Sequence, residues 1–178
     1  MTPRRHLCVL LALAACTAAQ AHRLDEYLQS TTIRVTADKV AVHLRLVPGV
    51  GVAGQLWQAI DADGSGELSE AERQAYVARV LNDLSLTVDG RAAAMEIVNV
   101  SFPSQADAMR GLGQIGLSLG TAVASKAGPH HLHFASRHRP VASVYLVNTL
   151  LPVDAALRIT GQQRSADQAV YDLDYQVD

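Results

Sequence analysis

Val40-Ala41-Val42-His43-Leu44-Arg45-Leu46 sets four aliphatic side chains at every second position, with His43 and Arg45 between them. Successive side chains of a strand point to opposite faces, so this stretch predicts a strand with Val40, Val42, Leu44 and Leu46 inward and a wet outer face. The same period recurs on either side of it. Ile33 and Val35 precede it across a polar break at Asp38-Lys39. Leu84, Leu86 and Val88 alternate up to Asp89-Gly90, a dipeptide suited to a tight hairpin. Ile115, Leu117 and Leu119 repeat the pattern, as do Leu132 and Phe134. Val144 to Leu151 is a near-continuous apolar run suited to a central strand. Leu157 and Ile159 mark a further strand. Tyr171, Leu173, Tyr175 and Val177 mark a last one, with Asp172 and Asp174 on its wet face.

One stretch departs from this rule. From about Val52 to Leu81 the apolar residues fall at helical spacing, split by a segment rich in Gly and Asp. Eight or nine short strands and this interruption predict a mainly β (α+β) fold, an Ig-like antiparallel β-sandwich with a helix-loop-helix inserted at about 52–81. A chain of 178 residues suits one domain, and 49% apolar content can supply its core. One Trp, two Phe and five Tyr leave that core mostly aliphatic. The formal net charge of -2 argues against nucleic acid as a partner, because neutralising phosphates takes clustered Lys and Arg.

The first residues have the form of an export signal. Arg4 and Arg5 give a positive start, Leu7 to Ala15 is a short apolar run, and Ala19-Gln20-Ala21 is an A-x-A cleavage site. The run is far short of the ~20 residues that cross a bilayer. The expectation is a signal peptide over 1–21, cut after Ala21, and a periplasmic or secreted domain over 22–178. Leu13-Ala14-Ala15-Cys16 offers an alternative, because it resembles a bacterial lipoprotein box that would lipidate Cys16. Cys8 and Cys16 both lie in this leader, so no disulfide or thiol chemistry is expected of the folded domain. Loss of Arg4 and Arg5 leaves 13 basic residues against 17 acidic ones, a charge near -4.

Asp61-Ala62-Asp63-Gly64-Ser65-Gly66-Glu67-Leu68-Ser69-Glu70-Ala71-Glu72 has the spacing of a calcium loop. Calcium is a hard cation that takes about six to eight oxygen ligands at roughly 2.3–2.6 Å. A chain curling round it presents Asp61, Asp63 and Ser65 at positions 1, 3 and 5. Gly66 fits the sharp turn at position 6, where a Cβ is costly. Glu67 gives its carbonyl at position 7, Ser69 acts through a water at position 9, and Glu72 closes the loop with both oxygens. Leu68 should anchor the loop in apolar packing. Trp57 and Ile60 form one face of an entering helix, and Tyr76, Val77 and Val80 the matching face of the exiting one. Ser69 to Glu72 also reads as a capping box, which starts the second helix with or without metal.

From roughly Val52 to Leu81 the chain resembles the EF-hand family. The resemblance implies bound Ca2+, with Asp61, Asp63, Ser65, Glu67, Ser69 and Glu72 as its ligands. That family usually works as paired hands, and no second hand is found in the sequence. A structural calcium within a binding or adaptor module is therefore expected rather than a sensor. The modest charge of the loop suggests an affinity of about 10⁻⁴–10⁻³ M.

A wider resemblance rests on His22-Arg23-Leu24-Asp25-Glu26-Tyr27-Leu28-Gln29, Leu86-Thr87-Val88-Asp89-Gly90 and Val144-Tyr145-Leu146-Val147-Asn148. Over most of residues 22–178 the chain is similar to exported bacterial domains that precede the membrane part of nickel and cobalt permeases of the hydrogenase/urease-accessory type, or that occur alone. This resemblance implies an alternative function, a periplasmic transition-metal (nickel, cobalt or copper) accessory with a membrane permease as partner.

The histidines bear on that alternative. His131 and His133 share one face of a strand, a spacing that can chelate a transition metal, and His22 at a new N-terminus could bind through amine and imidazole together. The plainer reading puts His43, His130, His131, His133 and His138 on a polar outer face, with His130 in a turn after Gly128-Pro129. Gly111-Leu112-Gly113-Gln114-Ile115-Gly116 spells a dinucleotide fingerprint, but a strand pattern follows it where a helix is needed. No thiol nucleophile, G-x-S-x-G or H-E-x-x-H pattern occurs in the domain, and no enzymatic activity is expected.

Overall fold

Alternation at period two is what builds this fold. The computed structural model describes residues 25–178 and contains ten strands in two five-stranded sheets. One sheet comprises β1 (Tyr27–Val35), β2 (Lys39–Pro48), β5 (Glu96–Ser101), β6 (Ile115–Ala122) and β8 (Ser143–Thr149), in the order β5-β6-β2-β1-β8. The other comprises β3 (Leu84–Val88), β4 (Arg91–Ala92), β7 (Gly128–Ser136), β9 (Leu157–Arg164) and β10 (Val170–Val177), in the order β4-β3-β7-β10-β9. The inward residues of both sheets join one apolar core, so the chain is the mainly β sandwich that its alternation predicts. Every neighbouring pair is antiparallel except β1 and β8, which run parallel.

Local chemistry accounts for the register. In β2, Val40, Val42, Leu44 and Leu46 are buried while His43 and Arg45 are exposed. In β10, Tyr171, Leu173, Tyr175 and Val177 are buried, and Asp172 and Asp174 face outward. Asp89 and Gly90 both take positive φ, 52° and 73°, the conformation a two-residue hairpin needs to match strand twist. They join β3 to β4 with Val88 opposite Arg91. The core is largely aliphatic, yet all five tyrosines are buried in it.

Two expectations change here. The apolar run from Val144 to Leu151 is not a central strand. Its ordered part, β8, ends at Thr149 and lies at a sheet edge beside β1. Tyr145 and Val147 point inward, Leu146 points out, and Leu151 is 82% exposed in the loop that follows. An edge strand needs its free polar groups covered, and Arg164 of β9 does this from the other sheet. Its Nε donates to the Val147 carbonyl at 2.8 Å and its Nη2 to Asn148 Oδ1 at 2.8 Å. The second change concerns His130, which stands within β7 rather than in a turn. Its ring stacks on Tyr175 and bonds to Asp89 Oδ2 at 2.7 Å.

The helical interruption falls where the chain crosses between sheets, after β2 and before β3. It consists of α1 (Val50–Ile60) and α2 (Glu70–Asp83), with a short α3 (Gln105–Met109) following β5. Val52, Leu56, Trp57 and Ile60 of α1 and Tyr76, Val77 and Val80 of α2 belong to the same core as the strands. Arg79 Nη2 donates to the Ala59 carbonyl at 2.9 Å, satisfying one orphan group at the end of α1. Of the fingerprint-like glycines, Gly111 and Gly113 lie between α3 and β6 and Gly116 lies within β6, which Ile115 opens, so no helix N-terminus is available there for a pyrophosphate.

Candidate metal centre

The segment between α1 and α2 is folded back on itself by its own carboxylates. Asp61, at the C-cap of α1, is buried; Asp63 is exposed. The Asp61 Oδ1 and Oδ2 atoms accept the backbone N–H groups of Ser65 and Gly66 at 3.1 and 2.9 Å. Asp63 Oδ1 accepts the Ser65 N–H at 2.9 Å. Gly64 and Gly66 take φ of 69° and 85°, which other residues adopt only at a cost, and so let the chain turn twice within three residues. Ser65 Oγ donates to the Glu67 carbonyl at 2.9 Å, so these two oxygens lie side by side. Leu68 is buried and pins the loop to the core.

Glu72 closes the loop from α2. Its Oε1 accepts the Ala62 N–H at 2.6 Å, and its Oε2 accepts from the Ser69 backbone at 2.9 Å and the Ser69 hydroxyl at 2.7 Å. Ser69 Oγ in turn accepts the Glu72 N–H at 3.3 Å, completing the expected capping box. Hydrogen bonds from Ser65 hold the Asp63 carboxyl below its ordinary range, and those from Ser69 do the same for Glu72. Both are therefore ionised at neutral pH.

The result is a convergence of charge. One carboxylate oxygen each from Asp61, Asp63 and Glu72 can be chosen so that all three lie within 4.8 Å of one another. Among the described residues, none of the three makes an ion pair with Lys, Arg or His. Backbone N–H groups and the Ser69 hydroxyl offset the charge. Such an all-oxygen cluster, with the Ser65 hydroxyl and Glu67 carbonyl beside it, fits a hard metal ion.

The histidines lie in different environments. His22 and the leader, with its cleavage site at Ala21 and the alternative at Cys16, lie outside the described residues. His131 and His133 share the outer face of β7, as their spacing predicts, and pair with Asp174 and Asp172. His138 departs from expectation, being only 3% exposed rather than on a wet face.

Its burial is explained by a polar chain that sequence reading misses. Asp83 Oδ2 meets His138 Nδ1 at 2.9 Å, His138 Nε2 meets the Tyr76 hydroxyl at 3.1 Å, and Tyr76 meets the Tyr27 hydroxyl at 2.7 Å. The His138 carbonyl accepts Gln29 Nε2 at 2.6 Å and the Tyr145 hydroxyl at 2.9 Å. Burial pushes both Tyr27 and Tyr76 upward, and it pushes His138 down despite the opposing pull of Asp83. This network ties α2 to β1 and to the segment after β7. The sequence carries no local signal for it, since His138 lies between Arg137 and Arg139 and Tyr27 follows Asp25-Glu26. No protein-family model matches the chain, and neither a curated protein nor a solved structure does.

Proposed function

We propose that this chain is an exported calcium-binding protein whose ion is structural, part of a binding or adaptor module. The ion is held by Asp61, Asp63, Ser65, the Glu67 carbonyl and Glu72, with Ser69 acting through a water. The observation that carries the reading is the approach of three unpaired carboxylates, from both ends of a twelve-residue loop, to within 4.8 Å. Oxygen donors of this kind favour calcium over the softer transition metals.

The chemistry supplied is cross-linking. The ion joins the end of α1 to the start of α2 and cancels repulsion that backbone N–H groups offset only in part. Both helices bury their apolar faces in the sandwich core, so a tie between them is felt by the whole domain. An ion that binds only the folded chain stabilises it by about 1.4 kcal/mol when present at ten times its dissociation constant.

Trp57 offers a direct test. It is the single Trp of the chain, and it lines the same cavity, of about 400 Å³, as Asp61. Terbium, a calcium surrogate, should show emission sensitised by Trp57, and calcium in the range of about 10⁻⁴–10⁻³ M should displace it. Glu72→Gln should remove both the emission and the rise in Tm that calcium gives. A Tm indifferent to millimolar calcium, with no sensitised emission, overturns the reading.

A further inference from the structure

The central strands of the second sheet carry a cluster of different chemistry. In the β7–β10 ladder, His131 stands directly opposite Asp174 and His133 opposite Asp172. Leu132 and Leu173 point the other way and are fully buried, so the register cannot slip without exposing the core. The four polar side chains are thereby held side by side on the outer face. His131 and His133 are 48% and 39% exposed, which leaves them open to solvent.

Two of their contacts are hydrogen bonds, and a third is a looser approach of charge. His131 Nδ1 lies 2.8 Å from Asp174 Oδ1, and its Nε2 lies 3.3 Å from Asp172 Oδ1. His133 Nδ1 lies 2.7 Å from that same Asp172 oxygen. Two imidazole nitrogens thus face one carboxylate oxygen. Asp174 holds the far nitrogen of His131, as an outer carboxylate does in carboxylate–histidine–metal triads. Gly161 of β9 lies beside Asp174, where a Cβ would come within 2.9 Å of Asp174 Oδ2. Isolated His–Asp pairs need neither this sharing of one oxygen nor a second carboxylate behind the ring.

We propose that the outer face of β7 and β10 is a binding site for a divalent transition-metal ion, with His131 Nε2, His133 Nδ1 and Asp172 as ligands and Asp174 orienting His131. Imidazole donors suit zinc, copper and nickel, whereas calcium prefers oxygen alone, so the site is distinct in selectivity from the loop between α1 and α2. Entry of the ion needs His131 Nε2 and His133 Nδ1 free of hydrogen: a proton on His131 Nε2 passes to solvent, the His133 hydrogen moves to its Nε2, and side-chain rotation draws the two rings together. This inference does not rest on calcium binding.

The test is a zinc titration of the untagged chain by calorimetry, with calcium in excess so that the carboxylate loop does not compete. Saturable zinc binding is expected, lost in the His131→Gln, His133→Gln double variant and weakened about 10–100-fold by Asp174→Ala. His43→Gln, on the other sheet, should leave it unchanged. Imidazole NMR on the unaltered chain needs no variant, and zinc should shift the His131 and His133 resonances. Absence of saturable binding overturns the proposal. So does affinity unchanged in the folded double variant, or loss of binding in His22→Ala or Glu72→Gln instead.

Discussion

The loop between α1 and α2 and the buried chain Asp83–His138–Tyr76–Tyr27 both secure α2, in opposite ways. In the loop, every polar contact among the candidate ligands spans ten residues or fewer, and most of the groups involved are exposed. In the buried chain, the three contacts span 55, 62 and 49 residues, and Tyr76 and Tyr27 are almost wholly enclosed. Screening by water makes each loop contact weak alone, so the loop depends on many short bonds, and on the proposed reading a cation adds to them. The buried chain depends on complete satisfaction, because a polar group stranded in a low dielectric costs far more than its bond contributed. The difference separates a region that a ligand can tune from one that must be right at folding.

Removing the middle of the buried chain should have the largest effect. Tyr76→Ala leaves a cavity in the shared core and strands the Tyr27 hydroxyl, at a cost of about 3–5 kcal/mol. Tyr76→Phe keeps the volume and isolates the polar part, at about 1–3 kcal/mol. Urea denaturation of both variants checks the pair. If they cost the same, the hydrogen bonds dominate and the packing contributes little.

The contrast also predicts a pH response. Burial holds His138 below its ordinary value, so its neutral form belongs to the folded state, and the unfolded chain takes up the proton more readily. The stability linked to it is present above the unfolded value and is lost as pH falls below about 6.5. Asp83, Arg79 and Tyr76 face this ring and set the size of the effect. His130 and His131 act in the opposite sense. Hydrogen bonds donated to the Lys126 carbonyl and to Asp174 respectively raise them, so their contribution is present at low pH and fades as pH rises through their folded values. The stability difference between wild type and His138→Gln should therefore shrink as pH is lowered from about 7.5 to about 5.5. A difference that holds constant or grows refutes the assignment.

The same contrast of range decides what a reader of the sequence can see. The loop, its capping box, the Leu68 anchor and both helix faces were legible because each is a local pattern. A contact made within one turn of chain is written in adjacent letters. The sandwich was legible for a related reason: alternation marks each strand separately, although it does not say which strands pair. That is why Val144 to Leu151 misled. Apolar composition on both faces suggests a central strand, but an edge can carry it when a distant Arg164 covers the free side. Tyr27, at the start of β1, and His138, after β7, meet only through the fold. Nothing local distinguishes such a histidine from the exposed ones at 131 and 133. The sharing of Asp172 between those two was equally hidden, since 39 residues separate Asp172 from His133.

The smallest expected effect concerns Ser69, where the loop does two jobs. Its side chain caps α2 by accepting the Glu72 N–H, and it also donates to the Glu72 carboxylate that closes the loop. Ser69→Ala removes both contacts, and loss of an N-cap costs about 0.5–2 kcal/mol. In calcium-free buffer the whole of that loss should appear as lower stability. With calcium saturating, the ion itself holds Glu72 against Asp61 and Asp63, and part of the order that the hydroxyl supplied is restored. The variant should therefore be closer to wild type in calcium than without it, as denaturation in the two buffers will measure. A calcium-independent penalty makes Ser69 a cap alone and removes it from the ligand set. Ser69→Asp sharpens the same point: a carboxylate caps as well as a hydroxyl, but it adds a fourth carboxylate to the candidate ligands Asp61, Asp63 and Glu72. It should weaken the fold without the ion and tighten the ion's binding, a pairing of opposite signs that a helix cap with no metal nearby has no means to produce.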